Sequence, residues 1–223
     1  MRILLSAAIA ALVAAPALAQ SPALPHVALE TALGTITLKL EADKAPATVA
    51  NFLRYVDEKR LDGTSFYRAM LVGEPGSFGL IQGGVQGDPK RLLPPVKHEP
   101  TTQTGLSNIS GAISMARAAP GTATADFFII LGNLSSLDAK TEGEGDILGF
   151  APFGQVVAGM EVVTAIQTAQ TDPEKGKGAM KGQMLAKPIA IKTARRVAPP
   201  PPPEPEPAPA AEPEFDPSEL PQP

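Results

Sequence analysis

Between Val27 and Leu40 the chain reads VALETALGTITLKL, with apolar and polar residues alternating on either side of Leu33-Gly34. A repeat of two is that of a strand, whose side chains point alternately to opposite faces, and two such runs about a glycine-bearing turn make an antiparallel hairpin. The fold therefore opens with β-structure, one face of each strand being already assigned to a core. The next segment, KAPATVANFLRYVDEKR, changes period. Val49, Phe52, Leu53 and Val56 fall at i, i+3, i+4 and i+7, and Pro46 stands near the start, where a missing N–H costs little. This predicts one amphipathic helix packed on the sheet. Further on, AISMA, DFFIIL and APFGQVV are short apolar runs bounded by Gly, Pro, Ser and Asn, KPIAIKTARRV alternates again, and AGMEVVTAIQTA reads as a second helix. Six or more strands, two helices and long Gly-rich connections predict an antiparallel β-barrel with helices over its open ends.

The two ends of the chain set the limits of that fold. Residues 1–20, MRILLSAAIAALVAAPALAQ, hold one positive charge at Arg2, an apolar run from Ile3 to Ala15, and small residues at both arms of Ala17-Leu18-Ala19. This pattern predicts a secretory signal peptide over 1–19, and the run is short for the ~20 residues that span a bilayer. A short linker over 20–26 and a folded body over 27–197 follow, and bacterial export to the periplasm is expected, with no membrane span after cleavage. Residues 198–223, APPPPPEPEPAPAAEPEFDPSELPQP, cannot form the interior of a helix or sheet, since proline fixes its backbone angle and lacks an N–H. An extended, partly polyproline-II tail is predicted there.

The formal charge of −4 conceals a split between tail and body. The tail carries six acidic and no basic residues, and the body without tail and leader has 18 basic and 17 acidic ones. A near-neutral body gives no electrostatic case for nucleic acid as a partner. There are no cysteines, which excludes disulfide stapling, thiol nucleophiles and thiolate metal sites. The two histidines, His26 and His98, have no partner constellation for a triad or a zinc site. No P-loop or dinucleotide fingerprint is present, and ISGAIS does not match a nucleophile elbow. Glu142 and Glu144 lie in a Gly-rich loop and read as solvated charge. What remains is an apolar pocket with a few hydrogen-bonding groups, suited to a reaction that needs neither nucleophile, metal nor cofactor.

FYR at 66–68, IQGG at 81–84, GLSNISGAISMAR at 105–117, TATADFFI at 122–129 and FGQV at 153–156 come in the order and approximate spacing of the cyclophilin family, and the body over about 27–170 resembles it, most nearly the periplasmic bacterial members. The resemblance implies a closed eight-stranded antiparallel β-barrel capped by two α-helices, mainly β. It also implies peptidyl-prolyl cis-trans isomerase activity on proline-containing polypeptides, by a monomer. By resemblance Arg68 is the catalytic arginine and Gln82 the glutamine that meets the substrate backbone. Phe128 is the aromatic of the proline pocket, with Phe127 facing the core because strand side chains alternate. Phe66, Phe78, Leu80, Leu137 and Phe150 match further substrate-contacting positions, and Ala116 and Arg117 the stretch whose backbone pairs with bound peptide. A catalytically weak module that binds proline-containing segments is the alternative that these residues leave open.

The chain departs from the family pattern at several places. Ser136 replaces a frequent tryptophan, Phe150 stands where many members have a histidine, and Asp126 replaces the usual glutamine before the paired phenylalanines. By the same resemblance Asp126 is a substrate-binding position, where a negative charge beside the substrate backbone alters peptide preference or counterbalances Arg68, and either positions that guanidinium or draws it away. Arg68 and Gln82 are 14 positions apart, where most members have about eight, so LVGEPGS carries an insertion. Gly73, Pro75 and Gly76 favour a surface turn within it. Gly79 then occupies the family's aromatic position and Phe78 stands one residue early, so the loop either presents that ring or removes it.

Overall fold

In a computed structural model that describes residues 23–201, the alternating segments pair into one antiparallel sheet. The signal peptide expected over 1–19 and all but the first residues of the tail expected over 198–223 lie outside the described residues. Strands β1 (His26–Thr31) and β2 (Gly34–Leu40) form the opening hairpin, with Thr31 opposite Gly34 and Ala32-Leu33 at the tip. Val27, Leu29, Ile36, Leu38 and Leu40 are fully buried, as the period of two requires. The sheet continues through β3 (Thr64–Leu71), β4 (Gly79–Gly84), β5 (Ala112–Met115), β6 (Phe127–Leu131), β7 (Ala151–Ala158) and β9 (Met184–Val197). Its order is β1-β2-β7-β5-β6-β4-β3-β9, and β9 also pairs with β1, which closes an eight-stranded barrel and leaves none of these strands with a bare edge. The extra strand, β8 (Thr171–Asp172), is a two-residue appendage on β9.

Helix α1 (Pro46–Asp57) lies where the 3.6-residue period puts it, and buries Val49, Phe52, Leu53 and Val56. Phe52 packs edge-on to Phe127 of β6, with ring centroids 5.6 Å apart, and 5.2 Å from Phe153 of β7, so the helix is locked to the barrel through aromatic contacts. No side chain of its own caps the first turn. Glu99, buried to 3% exposure, does so from 51 and 52 residues away, accepting from Thr48 N–H at 2.8 Å, Thr48 Oγ1 at 2.7 Å and Ala47 N–H at 3.1 Å. A carboxylate at this end also meets the positive pole of the helix dipole. Helix α3 (Met160–Gln167) packs against β2, β3 and β4 through Val163 and Ile166. To the two helices expected is added α2 (Thr101–Thr104), a single turn in the Pro-rich connection that carries Glu99.

Candidate active site

A cavity of about 710 Å³ opens on the outer face of the barrel, over β3, β4 and β6. Its apolar wall includes Met70, Leu80, Phe128, Leu134, Leu137 and Phe150. Arg68, Gln82 and Asp126 bring the polar groups, and Ala116 and Arg117 the stretch after β5. Nine of the eleven residues singled out in the sequence thus line one cavity. Phe127 is fully buried in the barrel core, whereas Phe128 points outward and meets Phe150 edge-on at 5.3 Å.

Phe66 is not among them. Regular alternation would put it on the same face as Arg68, but the pairing of β3 with β4 skips Tyr67: Phe66 is opposite Gly83 and Arg68 opposite Gln82. This β-bulge turns the strand by one position. Phe66 consequently enters the core, fully buried and edge-on to Phe127 at 5.9 Å, while Arg68 and Met70 face the cavity. Phe78 is the second exception. It packs from outside against the cluster that includes Leu80, Phe128 and Leu134 and does not line the cavity. Position 79 cannot carry an aromatic ring in its place, because Gly79 has φ of 140° and a Cβ there would lie 1.9 Å from the carbonyl oxygen of Met70. The inserted loop folds back on Gln167 of α3, a 2%-exposed amide that accepts from Gly76 N–H at 2.9 Å and donates to the carbonyls of Phe78 at 3.1 Å and Met70 at 3.3 Å. The loop therefore lengthens the hairpin while both strand ends keep their register, Leu71 opposite Gly79.

The guanidinium of Arg68 is held on two sides. Its Nε and Nη2 donate to Oε1 of Gln183 at 2.9 and 2.7 Å, and its Nη1 donates to Oε1 of Gln82 at 2.7 Å. Of the five N–H groups of an arginine, three are thereby engaged and two are left for a ligand. Burial lowers the pKa of Arg68 from its ordinary value, but a guanidinium stays charged. Nε2 of Gln82 donates to Tyr67 Oη at 2.7 Å, and that hydroxyl donates to Oδ2 of Asp126 at 3.3 Å. Asp126 makes no ion pair with Arg68 and touches it only through these two side chains. Gln183, Tyr67 and Met180 carry no spacing signal that would have marked them. Gln183 lies 115 residues from Arg68, in the segment between β8 and β9 that bends back over the cavity with Met180. Met70 was accessible in principle, as the neighbour two positions beyond Arg68 on the same strand face.

On the far side, Arg117 uses its guanidinium to hold the loop that bears Phe150. It is bonded to the carbonyl of Gly149, pairs with Asp146 at 2.6 Å and lies 5.1 Å from the centre of the Phe150 ring. With a side chain only 1% exposed, Arg117 is a strut of the wall, and Ala116 and Ala118 on either side of it line the cavity.

Burial pushes the carboxyl of Asp126 above its usual range, against the opposing effect of donors at Gln86 N–H, Tyr67 and Val85 N–H. A folded-state pKa above the unfolded one means that Asp126 adds stability below the unfolded value of ~3.9, and that this is lost as pH rises through the folded value. Asp126→Asn, which never charges, is therefore expected to melt at a higher temperature than wild type at pH 7. The difference should close as the pH falls to about 4 and below, and calorimetry across that range is the check.

Residues 26–195 match the family described as cyclophilin type peptidyl-prolyl cis-trans isomerase/CLD. The chain is 40% identical over 173 residues to peptidyl-prolyl cis-trans isomerase A of Dickeya dadantii (strain 3937), covering 76% of this chain and 83% of that protein. It is 36% identical over 149 residues to peptidyl-prolyl cis-trans isomerase B of Escherichia coli (strain K12), covering 65% of this chain and 85% of that one. Among solved structures, a cyclophilin type peptidyl-prolyl cis-trans isomerase of Cryptosporidium parvum superposes with a TM-score of 0.61 over 79% of this chain and 99% of its own, at 22% identity. At that identity the likeness speaks for the fold.

Proposed function

The chain belongs to the cyclophilin-type peptidyl-prolyl cis-trans isomerases, and we propose that it accelerates X-Pro rotation with Arg68, acting on proteins exported with it to the periplasm. The observation that carries the mechanism is a half-buried, charged guanidinium with two N–H groups uncommitted, facing an apolar cavity wide enough for a proline ring. Rotation about a peptide bond loses the resonance that keeps it planar, against a barrier of roughly 18–20 kcal/mol, and uncatalysed X-Pro exchange takes tens of seconds or longer. In the twisted amide the proline nitrogen is pyramidal and gains a lone pair that neither planar state offers. A donor aimed there binds the twisted state best, and this difference is what lowers the barrier.

In this reading the proline ring lies against Phe128, Leu80 and Leu137, with Phe150 behind. One uncommitted N–H of Arg68 serves the prolyl nitrogen and the other the proline carbonyl oxygen, while the stretch at Ala116–Arg117 pairs with the peptide backbone. Gln183 and Gln82 keep the guanidinium in place, so little reorganisation is needed as the amide twists. The leader over 1–19 supports export, and in an oxidising compartment the absence of cysteines is no handicap.

The test is cis-trans exchange in an Ala-Pro peptide, followed by NMR exchange spectroscopy with catalytic amounts of the protein. Exchange should rise from the uncatalysed rate to many events per second and scale with protein concentration. Line broadening by binding with no gain in exchange would point instead to a module that binds proline segments.

A further inference from the structure

The hydrogen bonds that run from Asp126 to Arg68 have a direction. A carboxylate can only accept and a guanidinium can only donate, whereas Tyr67 and Gln82 between them can each do both. With Asp126 ionised, Tyr67 must donate to it, which leaves the phenol oxygen to accept from Nε2 of Gln82 and turns Oε1 of Gln82 toward Nη1 of Arg68. Each link is thereby determined by the charge at the far end. Tyr67 is itself held in its protonated, donating form, since burial and then the neighbouring Asp126 raise its pKa. Oδ1 of Asp126 is not free to change roles, because it accepts from Gln86 N–H at 2.9 Å. Gly84 lets the carboxylate sit this close to β4, since a Cβ there would fall 2.2 Å from Oδ1.

From this we infer that Asp126 and Tyr67 are positioning residues for the isomerase site, their carboxylate and phenol setting the orientation of the Gln82 amide and through it the aim of Arg68. The inference rests on the isomerase reading of the site and goes beyond it in assigning two residues that do not touch the rotating bond. If Oδ2 becomes a donor, by protonation or by replacement with an amide, Tyr67 must turn its hydrogen toward Gln82. Gln82 must then flip or lose that bond, and a flipped amide sets N–H against N–H at Nη1 of Arg68. The glutamine usual in the family at this position could serve as donor or acceptor and would impose no direction.

The titratable groups facing Asp126 are Tyr67 from β3 and Tyr55 from α1, the other contacts being the backbone N–H groups of Val85 and Gln86, and the charge of Arg68 lies beyond Tyr67 and Gln82. Acidification therefore reverses the chain through Asp126. Its pKa above the usual carboxylate range brings that reversal nearer to neutral pH than an exposed aspartate would.

The experiment measures kcat and KM for X-Pro exchange from pH 4.5 to 8 on the full-length protein and on Asp126→Asn, Tyr67→Phe and the double variant. Wild type should lose about tenfold in kcat on acidification, with KM within about twofold, the size of one misdirected hydrogen bond in a partly buried site. Asp126→Asn should show the low kcat at every pH, and Tyr67→Phe should be lowered and flat in pH, with no further loss when Asp126→Asn is added. Additive losses in the double variant, or a wild-type kcat and pH profile in Asp126→Asn, would overturn the assignment. Independently of turnover, the side-chain amide resonances of Gln82 should titrate together with the Asp126 carboxyl in wild type and stay fixed in Tyr67→Phe. Absence of that titration would also defeat the assignment. A wild type that gives the titration but no exchange would defeat only the isomerase reading.

Discussion

Replacing Arg68 by alanine is expected to lower kcat for X-Pro exchange by about 10²–10³ while changing substrate affinity only a few-fold. In the proposed mechanism the loss is that of a preorganised donor aimed at a lone pair that exists only in the twisted amide. The affinity should be spared because, in the proposed mode of binding, the proline ring lies against Phe128, Leu80 and Leu137, cavity residues none of which depends on the guanidinium. Arg68→Lys should recover little. A lysine ammonium keeps the charge, but it cannot donate to Gln183 and Gln82 on two edges and still present two N–H groups in the plane of a fork. Exchange spectroscopy at saturating peptide separates the two parameters. Equal kcat for Arg68→Ala and wild type would remove Arg68 from the mechanism, and a loss confined to KM would make it a binding group only.

The parts of this site that could be read from sequence are those in which a residue's role follows from its neighbours in the chain. Strand alternation sends Phe127 inward and Phe128 outward, and the same rule puts Leu29 and Leu38 in the core. The motif order identifies Arg68 and Gln82 although an inserted loop separates them, because Leu71 and Gly79 close the lengthened hairpin in register. Alternation fails at Phe66. Whether a strand carries a bulge depends on how its partners pair, and the skipped residue is visible only in the registers of β3 with β4 and with β9. Gln183 and Glu99 escape for another reason: each meets its target across more than 50 residues of chain, and a polar side chain before a strand or in a proline-rich loop looks like any solvated one. Phe78 escapes because the placement of its ring depends on how the inserted loop folds back on Gln167, 89 residues further along the chain.

The adjacent pair Phe127 and Phe128 offers the clearest separation of fold from function. Phe127→Ala deletes a fully buried ring that meets Phe52 of α1 at 5.6 Å and Phe66 of β3 at 5.9 Å, both edge-on. The void lies inside a closed barrel, where neighbours collapse poorly, so a cost of about 3–5 kcal/mol is expected. Against a total stability of about 5–15 kcal/mol that is a large share, equivalent to roughly 10 °C in Tm for a domain of this size. The cavity chemistry is untouched, so the folded fraction should retain its KM. Phe128→Ala removes a ring that is nearly as well covered, 4% exposed, but it borders a cavity already open to solvent. Water can take up part of the space, and the loss in stability should be less than half as great. What disappears is the apolar surface for the proline ring and the edge-on contact with Phe150 at 5.3 Å, so affinity for an X-Pro peptide should fall by at least about tenfold, the equivalent of roughly 1.4 kcal/mol. Urea midpoints paired with peptide titrations on both variants decide the matter. Comparable destabilisation in the two, with peptide affinity preserved in Phe128→Ala, would mean that the proline ring is bound elsewhere than over β6.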